Sequence, residues 1–284
     1  MPLTTQTIHS TPQTSIPKHR TVAPQREAMS YYIHPHVKTL KFIADNWERD
    51  RHLNSSDSSS TNTPHDAQAL ARLVSNASWA VQDPYSEAVA HFVKWYRKAQ
   101  EIDLKSMKTA KLEDELKNFQ ADIDDMFFFS LLTRKPPGAE RRFVPLIVND
   151  DKTNKEGLCG RFESTPKAQS ITLWRYDSKG KAWHIEHLIH ALVHEMCHAY
   201  LAIFSDRRHR KHDRWYKDFD GHGEMFWVLV RFISGKILSY TNSDRWRTEL
   251  GREEDRCYAM TGKKCEPGSW GSPERILMGG DLPS

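Results

Sequence analysis

The apolar run LIHALVHEMCHAYLAIF, residues 188–204, contains the pattern HExxH at His194, Glu195, Met196, Cys197 and His198. On an α-helix, residues i and i+4 lie one above the other on the same face, so His194 and His198 can reach one metal ion. Glu195, next to the first of them, is placed to take a proton from a metal-bound water. A chain of this His and Glu content holds such a pentapeptide by chance at about 0.05 per chain. The setting strengthens the motif. Its flanks are apolar enough for a buried helix, and His or Glu inside such a helix requires partners.

A catalytic metal site needs a third protein ligand and an open position. His184, His187 and His190 stand upstream. His190 lies one turn before His194, about 6 Å of helix rise away, and three ligands in one line cannot surround an ion. It is therefore read as a packing or supporting residue, and His184 and His187 fare no better. The metzincin spacing would require Gly and His where Leu201 and Phe204 stand, so that class is excluded. Downstream, residues 221–226 read GHGEMF. A His between two glycines sits where backbone can approach a neighbour closely, at the start of a second apolar helix. His222 is the preferred third ligand, and Glu224 is the runner-up.

Working outward, residues 140–241 read as an α+β core. Segments 142–148 (RFVPLIV), 157–162 and 170–175 (SITLWR) are short and β-favouring, which predicts a small sheet. Pro145 confines its strand to an edge or a bulge. Helices are predicted over 183–204 and 223–238. Upstream, residues 31–135 form a helical region, with helices over 36–49, 66–81 and from Asp83-Pro84 to about 99. A further stripe follows at Leu112, Leu116, Phe119, Ile123 and Phe127, ended by Pro136-Pro137-Gly138. Residues 1–30 are read as a disordered Thr/Pro/Gln-rich tail, 54–64 as a flexible linker and 242–284 as an irregular C-terminal tail.

LVHEMCHAYL followed by GHGEMF resembles the SprT-like metalloproteases, a family that includes the Spartan proteases acting on proteins crosslinked to DNA. The resemblance covers about residues 143–238 and includes Leu158-Cys159-Gly160. It implies a zincin-like core holding Zn2+ through His194, His198 and His222, with Glu195 as general base. It also implies a zinc endopeptidase with a protein substrate, set in the nucleus and in DNA repair. Many members carry a ribbon of paired CxxC motifs after the core. Here only Cys257 and Cys265 lie late, without a second pair, which disfavours a ribbon and its DNA contacts. Cys159 and Cys197 read as small buried hydrophobes.

Composition bounds the rest. The apolar set is 38% of 284 residues, below the ~45–50% usual for globular domains, which predicts an unpacked portion. No stretch approaches the ~18 apolar residues of a membrane span. Four Cys and no apolar export signal predict a reducing compartment, cytosol or nucleus. The net charge of +4 permits anionic partners without requiring them. Residues 207–217 (RRHRKHDRWYK) concentrate six Lys/Arg beside Trp215-Tyr216. Arg207, Arg208, Arg210 and Lys211 are the candidate nucleic-acid contacts, against the preferred reading of a solvated loop anchored by its two aromatics. The rival functional class is a metal-stabilised binding module for DNA or protein, without turnover.

Overall fold

Pro145 decides where the sheet begins. In the computed structural model, which describes residues 35–45, 65–77, 86–152, 158–165 and 169–262, strand β1 (Leu146–Asn149) starts one residue after it. β2 (Gly160–Ser164) and β3 (Gln169–Trp174) complete a three-stranded sheet in the order β1-β3-β2. β1 runs parallel to β3 and β2 antiparallel to it. A residue without N–H is tolerated at the rim, and β1 is an edge. That edge is also covered. Val148 N–H donates to Glu113 Oε2 at 3.1 Å, and Gln120 Nε2 donates to Val144 O at 3.0 Å.

Glu113 and Gln120 come from helix α4 (Thr109–Phe127), whose buried stripe is the predicted one at Leu112, Leu116, Phe119, Ile123 and Phe127. The helix stops at Phe127, well before Pro136. Phe129 and Ser130 take left-handed φ values of 61° and 56°. The buried Asp124 carboxylate then accepts from Leu132 N, Thr133 N and Thr133 Oγ1, closing the turn. Before α4 come α1 (Pro35–Asp45), α2 (Ala67–Ala77) and α3 (Glu87–Ala99). Ser86 caps α3 by accepting from Val89 N at 3.3 Å; the expected opening at Asp83-Pro84 lies outside the described residues.

Helix α5 (Ile185–Phe204) is the axis of the fold, and every residue of it except His187 is buried. A helix apolar on all sides must be enclosed. β2 and β3 pack on it, as do α2, α4, α7 (Glu224–Thr241) and α8 (Asp244–Thr261). One hydrophobic cluster runs from Leu40 and Leu70 through Phe119 to Leu192, Phe226 and Ile237. The helices of 31–135 and the core of 140–241 thus share a single interior.

The chain after 242 departs from the reading of an irregular tail. Ser243 caps α8 by accepting from Trp246 N at 3.1 Å, and the helix continues to Thr261. Its inward stripe is Trp246, Glu249, Glu253 and Cys257. Two of those four are carboxylates, so hydropathy periodicity could not reveal it. The expected tail at 1–30, the linker at 54–64 and residues 263–284 lie outside the described residues.

Candidate metal centre

His194 and His198 stand one turn apart on α5. His222 arrives from the turn between a short helix, α6 (Asp218–Gly221), and α7. Their Nε2 atoms form a near-equilateral triangle with sides of 3.3 Å (His198–His194), 3.3 Å (His198–His222) and 3.2 Å (His222–His194). Three corners of a tetrahedron around zinc, with Zn–N near 2.0–2.1 Å, lie about 3.3–3.4 Å apart. The triangle fits such an ion.

The tautomers support the same conclusion. His222 Nδ1 donates to Phe219 O at 2.8 Å, which leaves its Nε2 as a lone pair. His194 Nδ1 lies 3.3 Å from Glu253 Oε1, an ion-pair contact rather than an aligned hydrogen bond, and the carboxylate favours the proton on that side. Burial pushes the His198 imidazole well below its ordinary range and that of His222 down to about 4. Converging neutral nitrogens of this kind repel one another unless a cation lies between them. Phe226 backs the group, stacking on His198 with ring centroids 4.1 Å apart. Among the described residues this is the one cluster of three or more His, Cys, Asp or Glu able to hold a metal ion.

The two glycines around His222 have separate reasons. Gly221 has φ +87°, and a Cβ there would meet the His198 ring at 3.3–3.4 Å. A Cβ on Gly223 would lie 2.5 Å from backbone atoms of Trp215 and Tyr216. Gly223 N–H donates to Tyr216 O at 3.1 Å, locking that approach. Trp215 and Tyr216 lie in a π-type turn, Asp213–Lys217. Because no flexible side chain can yield at this contact, Gly223→Ala is expected to destabilise the protein by about 1–3 kcal/mol. It should also shift His222 out of the triangle and so weaken whatever metal affinity the three histidines have. Thermal melting and zinc titration check both.

Glu195 is only 7% exposed, and its Oε2 accepts the Phe162 N–H at 2.7 Å. Burial raises its pKa above the ordinary carboxylate value. β2 comes this close because Gly160 lacks a side chain: a Cβ there would sit 2.8 Å from Glu195 Cγ. The antiparallel register turns the Phe162 backbone away from β3 and toward α5.

The remaining candidates fall away from the triangle. His190 is buried edge-on against Trp246, ring centroids 5.2 Å apart, as a packing residue would be. His187 stacks on Trp183 and pairs with Glu249 at 3.0 Å, while His184 faces Glu186. Glu224, the runner-up ligand, pairs with Arg214 Nε at 2.9 Å instead. Tyr200 is fully buried against Phe128 and Phe204. Cys197 and Cys257 are buried, and Cys159 is partly so.

In the basic loop, Trp215 is 5% exposed and stacks under His209, centroids 4.8 Å apart, with Lys211 Nζ 5.1 Å from its ring. The aromatics anchor the loop, as the preferred reading held, and Trp215 offers no face for base stacking. Arg207, Arg208 and Arg210 are exposed and Lys211 is partly so. Sequence reading missed Glu253, Glu249 and the Phe162 N–H. The first two had one signal, an i, i+4 carboxylate pair sharing a helical face with Trp246 and Cys257.

Comparison of the chain with protein-family models, with curated proteins and with solved structures finds no match. No helix among the described residues is long and apolar enough to cross a membrane.

Proposed function

We propose that the protein is a zinc-dependent endopeptidase of SprT-like type. The observation that carries this reading is the buried carboxylate of Glu195 beside three converging imidazoles, with one of its oxygens anchored by the Phe162 N–H. His194, His198 and His222 would hold the ion. Three nitrogen ligands with a fourth position left over favour zinc in a catalytic arrangement. When bound, zinc supplies Lewis acidity, lowering the pKa of water toward neutrality and polarising a carbonyl. Glu195 accepts the proton of the attacking water and delivers it to the leaving amine, a shuttle made easier by the carboxyl pKa that burial raises. β2 has no strand on its outer side among the described residues, so an extended peptide can pair there, next to Glu195.

The rival reading is a metal-stabilised module that binds without turnover. A purely structural zinc site favours a closed fourth ligand and has no use for a base, whereas Glu195 follows the first histidine with its carboxylate buried and held by the Phe162 N–H. Incubating the zinc-loaded protein with an unfolded protein substrate separates the two. Cleavage that stops with a chelator and returns with zinc is expected. A zinc-loaded protein that cuts nothing favours the module.

An action on DNA-associated proteins, the finer form of the proposal, rests on the exposed cations of the basic loop alone. Three or four phosphate contacts would give a salt slope of roughly −2 to −3 on single-stranded DNA. Replacing Arg207, Arg208, Arg210 and Lys211 with Ser is expected to flatten that slope and leave zinc content intact. Absence of wild-type binding at low salt would leave a general peptidase.

A further inference from the structure

α8 carries two carboxylates in the face it buries, Glu249 at 5% and Glu253 at 4% exposure. A helix docking only for burial would place aliphatic residues there, because each buried charge costs several kcal/mol unless it is paired. Their partners across the contact are histidines of α5: His187 Nδ1 lies 3.0 Å from Glu249 Oε2, and His194 Nδ1 lies 3.3 Å from Glu253 Oε1. Between these two contacts stands His190, packed on Trp246. On the outer side Arg252 Nη1 lies 2.7 Å from Glu249 Oε1, and Arg256 Nη1 lies 3.1 Å from Glu253 Oε1, the same oxygen that faces His194. His190 Nε2 and Glu253 Oε2 are both buried without a hydrogen-bond partner among the described residues. The stripe on α8 is therefore matched to the histidines of the metal helix rather than to its aliphatic residues.

We infer that α8 is part of the metal centre: Glu253 is the positioning residue of His194, and ion binding and the docking of α8 are one linked equilibrium. The inference rests on the reading of His194, His198 and His222 as metal ligands. A carboxylate beside Nδ1 keeps the proton on that nitrogen, turns the Nε2 lone pair toward the ion and raises its basicity. An ion on Nε2 in turn makes the Nδ1–H more positive and strengthens its hold on Glu253. Coupling between two binding events is reciprocal, so whatever α8 adds to ion affinity, the ion adds to the docking of α8. A partner or a cleavage that drew α8 away would thereby weaken the metal centre from a distance, without touching a ligand.

The test uses the full chain and zinc. Glu253→Gln keeps the shape of the side chain and removes its charge; chelator competition should show zinc binding weakened 10–100-fold, the range for partners that orient a ligand. Glu249→Gln removes the neighbouring carboxylate from the same stripe and should leave zinc affinity near wild type. Equal losses in both variants would mean that α8 acts only by generic packing and would overturn the inference, as would an unchanged Glu253→Gln. A second measurement needs no variant. Amide hydrogen exchange of Asp244–Thr261 in the wild type should slow when zinc is added, and exchange indifferent to zinc sinks the linkage even if Glu253→Gln does not fold. A wild type that takes up no zinc sinks the metal centre itself, an outcome distinct from normal wild-type binding with an unaffected Glu253→Gln.

Discussion

His222→Ala is expected to leave a folded chain that no longer takes up the zinc proposed for the wild type. The two remaining ligands share one helix face, and an ion held by them alone loses the nitrogen that closes the 3.2–3.3 Å triangle. Structural zinc sites bind with roughly 10–16 kcal/mol over four ligands, so one ligand is worth about 10²–10³-fold in affinity. The fold should survive, because His222 lies in a turn and contributes no methyl-bearing side chain to the interior. Metal content by elemental analysis and affinity by chelator competition give the readout. His190→Ala is the matched control and should keep its zinc, since that ring packs against Trp246 away from the triangle. A metal-free His190 variant with a zinc-loaded His222 variant would reverse the ligand assignment.

The second large effect separates binding from chemistry. Glu195→Gln preserves all three imidazoles, and its amide oxygen can still accept the Phe162 N–H that now holds Oε2 at 2.7 Å. Zinc content and melting temperature should therefore stay near wild type. The amide cannot carry a proton from water to a leaving amine, so cleavage of an unfolded protein substrate should fall at least ~10²-fold. Turnover at the wild-type rate would remove Glu195 from the mechanism and with it the main support for an endopeptidase.

What could be read from the sequence, and what could not, divides along the range of the interactions. The spacing of His194 and His198 is a property of one helix, and the Gly-His-Gly turn announces tight backbone, so the grouping of His194, His198 and His222 was legible. So was the α4 stripe, and so was the edge position of the strand after Pro145. The end of α4 was not, because it depends on Phe129 and Ser130 adopting a conformation that L-residues seldom take, held by Asp124 from within the helix. α8 was hidden for a different reason. Its buried face is half acidic, and those carboxylates make sense only beside His187 and His194, residues more than fifty positions earlier in the chain. Local pattern reads such a face as exposed. The inward turn of Trp215 is likewise set by a contact, the backbone of Gly223 against Trp215 and Tyr216, rather than by the charges around it.

The shared interior of the first four helices and α5 has a consequence for how this protein can be divided. α5 is enclosed on one side by the sheet and elsewhere by α2, α4, α7 and α8, and its aliphatic residues have no solvent-facing side to fall back on. A fragment restricted to 140–241, the span read from the sequence as an α+β core, would present to water the apolar surface that α2 and α4 now cover. Such a fragment is expected to aggregate rather than to fold alone. The motif-bearing segment cannot be lifted out, swapped into another scaffold or inherited alone by a shorter relative unless something else supplies that cover. The helices before residue 135 are therefore part of the packed unit that holds His194, His198 and His222 in place.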